Sequence, residues 1–380
     1  MKLVEQIKNG SVVLDHDTRI KKEEIQNFLF QDIQTTNTKN PYTSTLSSET
    51  IKLYTKQVTY LGHPHPIYKK RIQISVGWGF HLRDNNAFLI GLYKYEDTVL
   101  YVIFDKTNFV NRQTNNSSAH VSTLDLLNAD TQGIFTKIDS RNNKITVTTR
   151  EHIRNVLIKL INKQNLLTKE ICLFESFKQT LFKEYNGIEC YQKMINSNFR
   201  DKFQSEWFGF YVEFEFQGYL EENPKLKDIC EYQKIKNQNS LDFDIIFKKG
   251  FLGDLKTSSN KSLSILGNDK TAVLQAVDKY KRLWYILIKH DTTKDSECNY
   301  EVTQFWNKKQ SKDNLMSYSK KMKNRVFLTE LQILEITPFN VIYLSDFKQG
   351  RQQSDSRRNM KIQIRKTAID NFLIYYSHFE

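Results

Sequence analysis

Residues 242–259, DFDIIFKKGFLGDLKTSS, place Asp242, Asp244, Asp254 and Lys256 at the edges of two short apolar runs. On β-strands side chains alternate, so residues two apart share a face. Asp254 and Lys256 then share one face and Leu255 the other. Asp242 and Asp244 likewise oppose Phe243, Ile245 and Phe247. Two carboxylates held close together repel when ionised, and a divalent cation between them offsets that cost. An all-oxygen donor set suits Mg²⁺, which takes one or two carboxylates and keeps waters and phosphate oxygens as its other ligands. The ion lowers the pKa of bound water and neutralises charge on a phosphate. A lysine on the same face can orient that water or stabilise the charge that develops. The expected chemistry is phosphodiester hydrolysis.

The run DIIFKKGFLGDLK resembles the signature of the PD-(D/E)xK nucleases: an Asp opening a hydrophobic strand, a turn, then acid-x-Lys on the next strand. On that resemblance Asp244 is the first acid, Asp254 the second and Lys256 the lysine. Asp242 competes for the first position, and Asp244 is preferred because Ile245, Ile246 and Phe247 follow it directly. No Pro precedes either Asp, and the second acid is Asp rather than the commoner Glu. The family core runs helix, three strands, helix, strand. The same order is read here from SEWFGFYVEFEFQGYLEE (205–222), the hairpin, NDKTAVLQAVDKYKRL (268–283) and WYILIKH (284–290). The resemblance covers about residues 205–290. It implies Asp244 and Asp254 as metal ligands for Mg²⁺, double-stranded DNA as substrate, and products with a 5′-phosphate and a 3′-hydroxyl.

The leading helix of this family often adds an acid. On a helical reading Phe208, Val212, Glu215 and Tyr219 share a face, which directs Glu215 to the core and makes it the fourth candidate. On a strand reading Glu213, Glu215 and Gln217 alternate with Phe214 and Phe216 and face solvent. Helix 268–283 should pack through Val273, Leu274, Val277 and Tyr280. Base readout is expected from GRQQSDSRR (350–358), through Arg351, Gln352, Gln353, Arg357 and Arg358, since Arg and Gln can read base edges. In GWGFHLRDNN (77–86), Trp78 and Arg83 are candidate DNA contacts.

These motifs sit in a chain of 380 residues, enough for two domains, with net charge +13. Such a balance fits a polyanionic partner. Residues 1–150 carry 19 Lys plus Arg against 14 Asp plus Glu, so neither half monopolises the charge. That half alternates strand-like runs such as RIQISVGWGFHL (71–82), NAFLIGLYKY (86–95) and TVLYVIFD (98–105) with polar turns. From 151 the texture becomes helical in EHIRNVLIKLINK (151–163) and TKEICLFESFKQTLFKEY (168–185). The expected architecture is α/β: a β-rich DNA-recognition domain over 1–160, and over 161–380 a restriction-endonuclease-like mixed sheet flanked by helices. The four cysteines lack C-x-x-C spacing, which favours reduced thiols over a zinc site. No apolar run reaches bilayer length, and MKLVEQIKNG lacks a signal core. The expectation is a cytoplasmic, prokaryotic enzyme resembling type II restriction endonucleases. A homodimer, a repair or resolvase nuclease of the same family, and a non-enzymatic DNA-binding protein stay open as alternatives.

Overall fold

A computed structural model describes residues 2–110, 117–199, 205–233, 243–310, 321–348 and 359–380. The chain divides into two compact units, Met1–Leu167 and Thr168–Glu380. Asp242 and the base-readout candidates Arg351, Gln352, Gln353, Arg357 and Arg358 lie outside the described residues.

The first unit runs β1 (Val4–Lys8), β2 (Ser11–Asp15), α1 (Lys22–Ile33), β3 (Tyr42–Leu46), β4 (Glu49–Gln57), β5 (Thr59–Tyr60), β6 (Lys69–Gln73), α2 (Trp78–His81), β7 (Ala87–Tyr95), β8 (Thr98–Phe104), β9 (Ser118–Ser122), α3 (Thr123–Gln132), β10 (Ile134–Ile138), β11 (Lys144–Thr149) and α4 (Ile153–Ile161). A six-stranded sheet in the order β10-β11-β8-β7-β4-β3 is its frame. Only β4 and β7 pair in parallel within it. Leu29 and Ile33 of α1 and Ile153, Val156 and Leu157 of α4 bury their apolar stripe against Ile51, Ile90, Leu92 and Tyr101 of this sheet. The expected strand over 71–82 stops at Gln73, and Trp78–His81 is a short helix entered through Gly77 at φ +84°.

The second unit runs α5 (Lys169–Thr180), β12 (Glu184–Asn186), α6 (Gly187–Asn196), α7 (Trp207–Glu222), β13 (Cys230–Tyr232), β14 (Ile245–Phe247), β15 (Phe251–Ser259), β16 (Ser264–Asp269), α8 (Lys270–Tyr280), β17 (Leu283–Lys294), α9 (Glu301–Lys309), β18 (Lys323–Ile336), β19 (Ser345–Phe347), β20 (Lys361–Arg365) and β21 (Leu373–His378). Its mixed sheet has the order β12-β18-β17-β15-β14-β13, with β21 also on β18. β13, β14 and β15 form an antiparallel meander, and β17 lies parallel to β15 after the α8 crossover. Thr168 caps α5 by accepting from the Ile171 amide at 3.4 Å.

The two faces of this sheet are covered by different helices. Phe247 meets Phe174 of α5, which stacks on Phe216 of α7. Leu252 points the other way, into the cluster of Val273 and Val277 of α8 with Leu283, Tyr285 and Leu287 of β17. Phe243 also joins that cluster, so it does not share the face of Ile245 and Phe247 expected of it. In α8 the buried residues are Val273, Ala276 and Val277, whereas Leu274 is exposed. β16, unforeseen between the hairpin and α8, pairs with β20 from far along the chain. All four cysteines are free. Among the described residues no helix is long and apolar enough to cross a membrane.

Candidate active site

The hairpin that carries the acids turns at Gly250, whose φ of +83° suits a residue without Cβ. Its register opposes Ile245 to Gly253 and Phe247 to Phe251. Asp244 stands one residue before β14, and its carbonyl accepts from the Gln233 amide just beyond β13 at 2.8 Å. Asp244 and Asp254 each adjoin the last β14–β15 pair, Ile245 with Gly253, one on either strand.

Asp254 is 2% exposed, and its Oδ2 takes a 2.7 Å ion pair from the Lys256 ammonium, itself about a quarter exposed. A lone buried carboxylate would be expensive, and this partner offsets the cost. Lys256 also stands 5.7 Å from the centre of the Tyr285 ring, on the strand that pairs with its own. The acid-x-Lys pair is therefore one unit, fixed on the α8 face and open to solvent at the ammonium.

Tyr232, at the end of β13, links this pair to α7. Its hydroxyl donates to Glu213 Oε2 at 3.3 Å. Burial first, then the charges of Glu213 and Asp244, the hydrogen bond to Glu213, and Asp254 hold the phenol far above its ordinary pKa. The charges of three carboxylates, from α7, the start of β14 and β15, thus act on one half-buried tyrosine.

Glu215 is not among them. Two residues along a helix turn the side chain by roughly 200°. Glu215 hydrogen-bonds Tyr211 and, with Cys190 and Tyr185 nearby, adds to the upward pressure that burial exerts on those groups. Glu213 is the buried acid of α7. It lies one turn beyond Gly209, where an added Cβ would come within 3.4 Å of Thr257 Oγ1 on β15. That glycine marks the side on which α7 approaches the sheet, and it was the available sequence signal for Glu213.

The donor set suits Mg²⁺ at its minimum: two carboxylates, Asp244 and Asp254, next to the last pair of the hairpin, with Glu213 reaching the same phenol. Among the described residues no group of three or more His, Cys, Asp or Glu is arranged to hold a metal ion. The fit is to an ion that takes part of its shell from water and phosphate, not to a closed protein cage.

Residues 49–157 match the family described as methylase-associated X1. No curated protein and no solved structure matches the chain.

The matched segment contains Trp78 and Arg83 and none of the acids of the second unit. Trp78 is half-buried, edge-on to Tyr54 at 5.3 Å, with the Lys56 ammonium 5.4 Å from its ring. The Arg83 guanidinium stands 5.5 Å from the ring of Phe80, which is 70% exposed. Cations over exposed aromatic rings suit stacking on a nucleic acid.

Proposed function

We propose that the protein is a Mg²⁺-dependent endonuclease that hydrolyses double-stranded DNA, acting within restriction–modification. The observation that carries this reading is the buried Asp254, ion-paired to Lys256 at 2.7 Å on the strand that follows Asp244 across the hairpin. The resemblance to PD-(D/E)xK nucleases is supported by the order α7, β13-β14-β15 meander, α8, parallel β17, with β16 inserted before α8. A restriction–modification setting is supported by the methylase-associated match and by the net charge of +13.

Asp244 and Asp254 would hold Mg²⁺. Bound there, the ion would supply charge neutralisation at the scissile phosphate and a more acidic water. Asp254 orients Lys256, whose partly exposed ammonium is the donor available to a water or a phosphate oxygen. Tyr232 holds Glu213 by hydrogen bond, and the lifted phenol stays protonated as a donor through the working pH range. Products with a 5′-phosphate and a 3′-hydroxyl follow from the resemblance.

Plasmid DNA should be cut with Mg²⁺ and not with EDTA. Asp254→Ala and Lys256→Ala should each reduce cutting by about 10²-fold or more while DNA is still bound. Normal cutting by both variants would remove this site from the reaction. A second reading, a non-enzymatic DNA-binding protein, draws on the 2.7 Å ion pair of Asp254 with Lys256, which then serves the fold alone. It expects no Mg²⁺-dependent cutting by the unaltered chain.

A further inference from the structure

A cavity of about 540 Å³ opens at one end of the six-stranded sheet of the first unit. Its apolar wall is made by Phe88, Ile103, Leu160 and Ile161, which also border the core under α1 and α4. The rim is built. Lys106 donates to the carbonyls of Asn85 at 3.2 Å and Ala87 at 3.0 Å, which pins the turn between α2 and β7. Asn86 is tied to Glu49 Oε2 at 3.0 Å across that turn. Asp105 spends Oδ1 on the amide and hydroxyl of Thr107, and among the described residues its Oδ2 has no partner. Lys144 and Lys163 bring further positive charge to the lining.

We propose that this cavity receives a nucleobase with its sugar, the base lying against the apolar wall at Phe88 and its polar edge meeting Asp105 and Asn85. A base on its strand combines an apolar face, a hydrogen-bonding edge and a flanking anionic phosphate, and those are the features this wall, mouth and lysine rim complement. The volume lies in the range of small-molecule sites and exceeds what a core defect would leave. All of these residues except those of α4 and Lys163 fall within the methylase-associated match. Bases are read in this way by turning them out of the duplex into a pocket, where stacking and edge hydrogen bonds identify them. The same chemistry would take a free nucleoside. The inference rests on the DNA-binding reading above and adds where in the first unit a base is held.

The test uses the full chain in EDTA with short duplexes carrying one mismatched 2-aminopurine, whose emission rises when it leaves the stack. The unaltered protein should raise emission severalfold at saturation. Leu160→Trp, which fills the cavity, and Asp105→Ala, at the half-exposed mouth, should each lower that rise by about tenfold or more. Isothermal titration with nucleosides separates the sources: binding of a free nucleoside that Leu160→Trp abolishes, with no emission change on any duplex, assigns the site to the free ligand. Undiminished emission in both variants overturns the proposal and leaves the nuclease reading standing. Binding of neither duplex nor nucleoside overturns both. Binding and cutting of DNA with no emission rise and no nucleoside binding overturns the cavity alone.

Discussion

Asp254 is held almost wholly away from water, and the ammonium two residues on is the group that makes its charge tolerable. This explains why Lys256→Ala must be checked for folding as well as for cutting, since it leaves a buried charge unpaired. The two glutamates of α7 give a sharper discrimination. Glu213→Gln should reduce cutting at least tenfold, and Glu215→Gln should leave it within about twofold, because only Glu213 shares a hydroxyl with the site. Equal losses in a kinetic comparison would reject that assignment. His290 on β17 makes a different prediction. It is fully buried, edge-on to Phe208 at 5.3 Å, with neither ring nitrogen hydrogen-bonded among the described residues. Burial, and then the charges of Lys323 and Lys289, push its pKa down to about 3. The unfolded imidazole binds a proton near pH 6.5 and the folded one does not. The stabilisation is therefore complete above that pH and is lost as pH falls from 6.5 towards 3. Between pH 7 and pH 5 the loss should be about 2 kcal/mol at most. Urea unfolding at the two pH values, with His290→Phe as the variant that flattens the difference, measures it.

At the scale of elements, the meander is built to let its strands part at the acids. β14 is three residues long and β15 nine, so β15 runs on past the last pair, Ile245 with Gly253, carrying Asp254 and Lys256 beyond it. Gly253 is required there: an added Cβ would meet Phe247 Cε2 at 2.7 Å. Phe247 is itself wedged against Phe251 at 4.2 Å and Trp284 at 5.2 Å and has little room to yield. Gly253→Ala should cost about 1–3 kcal/mol in chemical denaturation and misplace the neighbouring acid. An unchanged midpoint would show that the ring has room to move. The helix α7 was hard to read because Trp207, Phe208, Tyr211, Val212, Phe216 and Leu220 are all buried, which spreads its apolar residues widely around the axis. Alternation from Val212 to Phe216 then imitates a strand. β16 could not be read at all, because its partner β20 lies nearly a hundred residues away and its own six residues carry no alternation.

For the whole molecule, the division at Leu167 and Thr168 separates a unit with the methylase-associated match from one with the acidic hairpin. The net charge of +13 belongs to both parts of the sequence. DNA binding that draws on it must release counterions, so affinity for any duplex should fall at least about tenfold between about 50 and 200 mM salt. Measured by filter retention on unrelated sequences, a flat response would exclude phosphate contacts as the source of binding. On the proposed nuclease reading, cutting with Mg²⁺ should instead depend on sequence.

The sequence alone determined what depends on neighbours a few residues apart: the helical stripes of α4, α5 and α8, the strand–turn–strand around Gly250, and the shared face of Asp254 and Lys256. Each follows from a period of 2 or 3.6 and a short-range contact. Tertiary structure decided which glutamate of α7 meets Tyr232 of β13, that Leu274 stays exposed and that a cavity is left beside α4. Those outcomes depend on which faces of separate elements meet, and that is fixed by packing between residues distant in the chain, where no local periodicity carries the information.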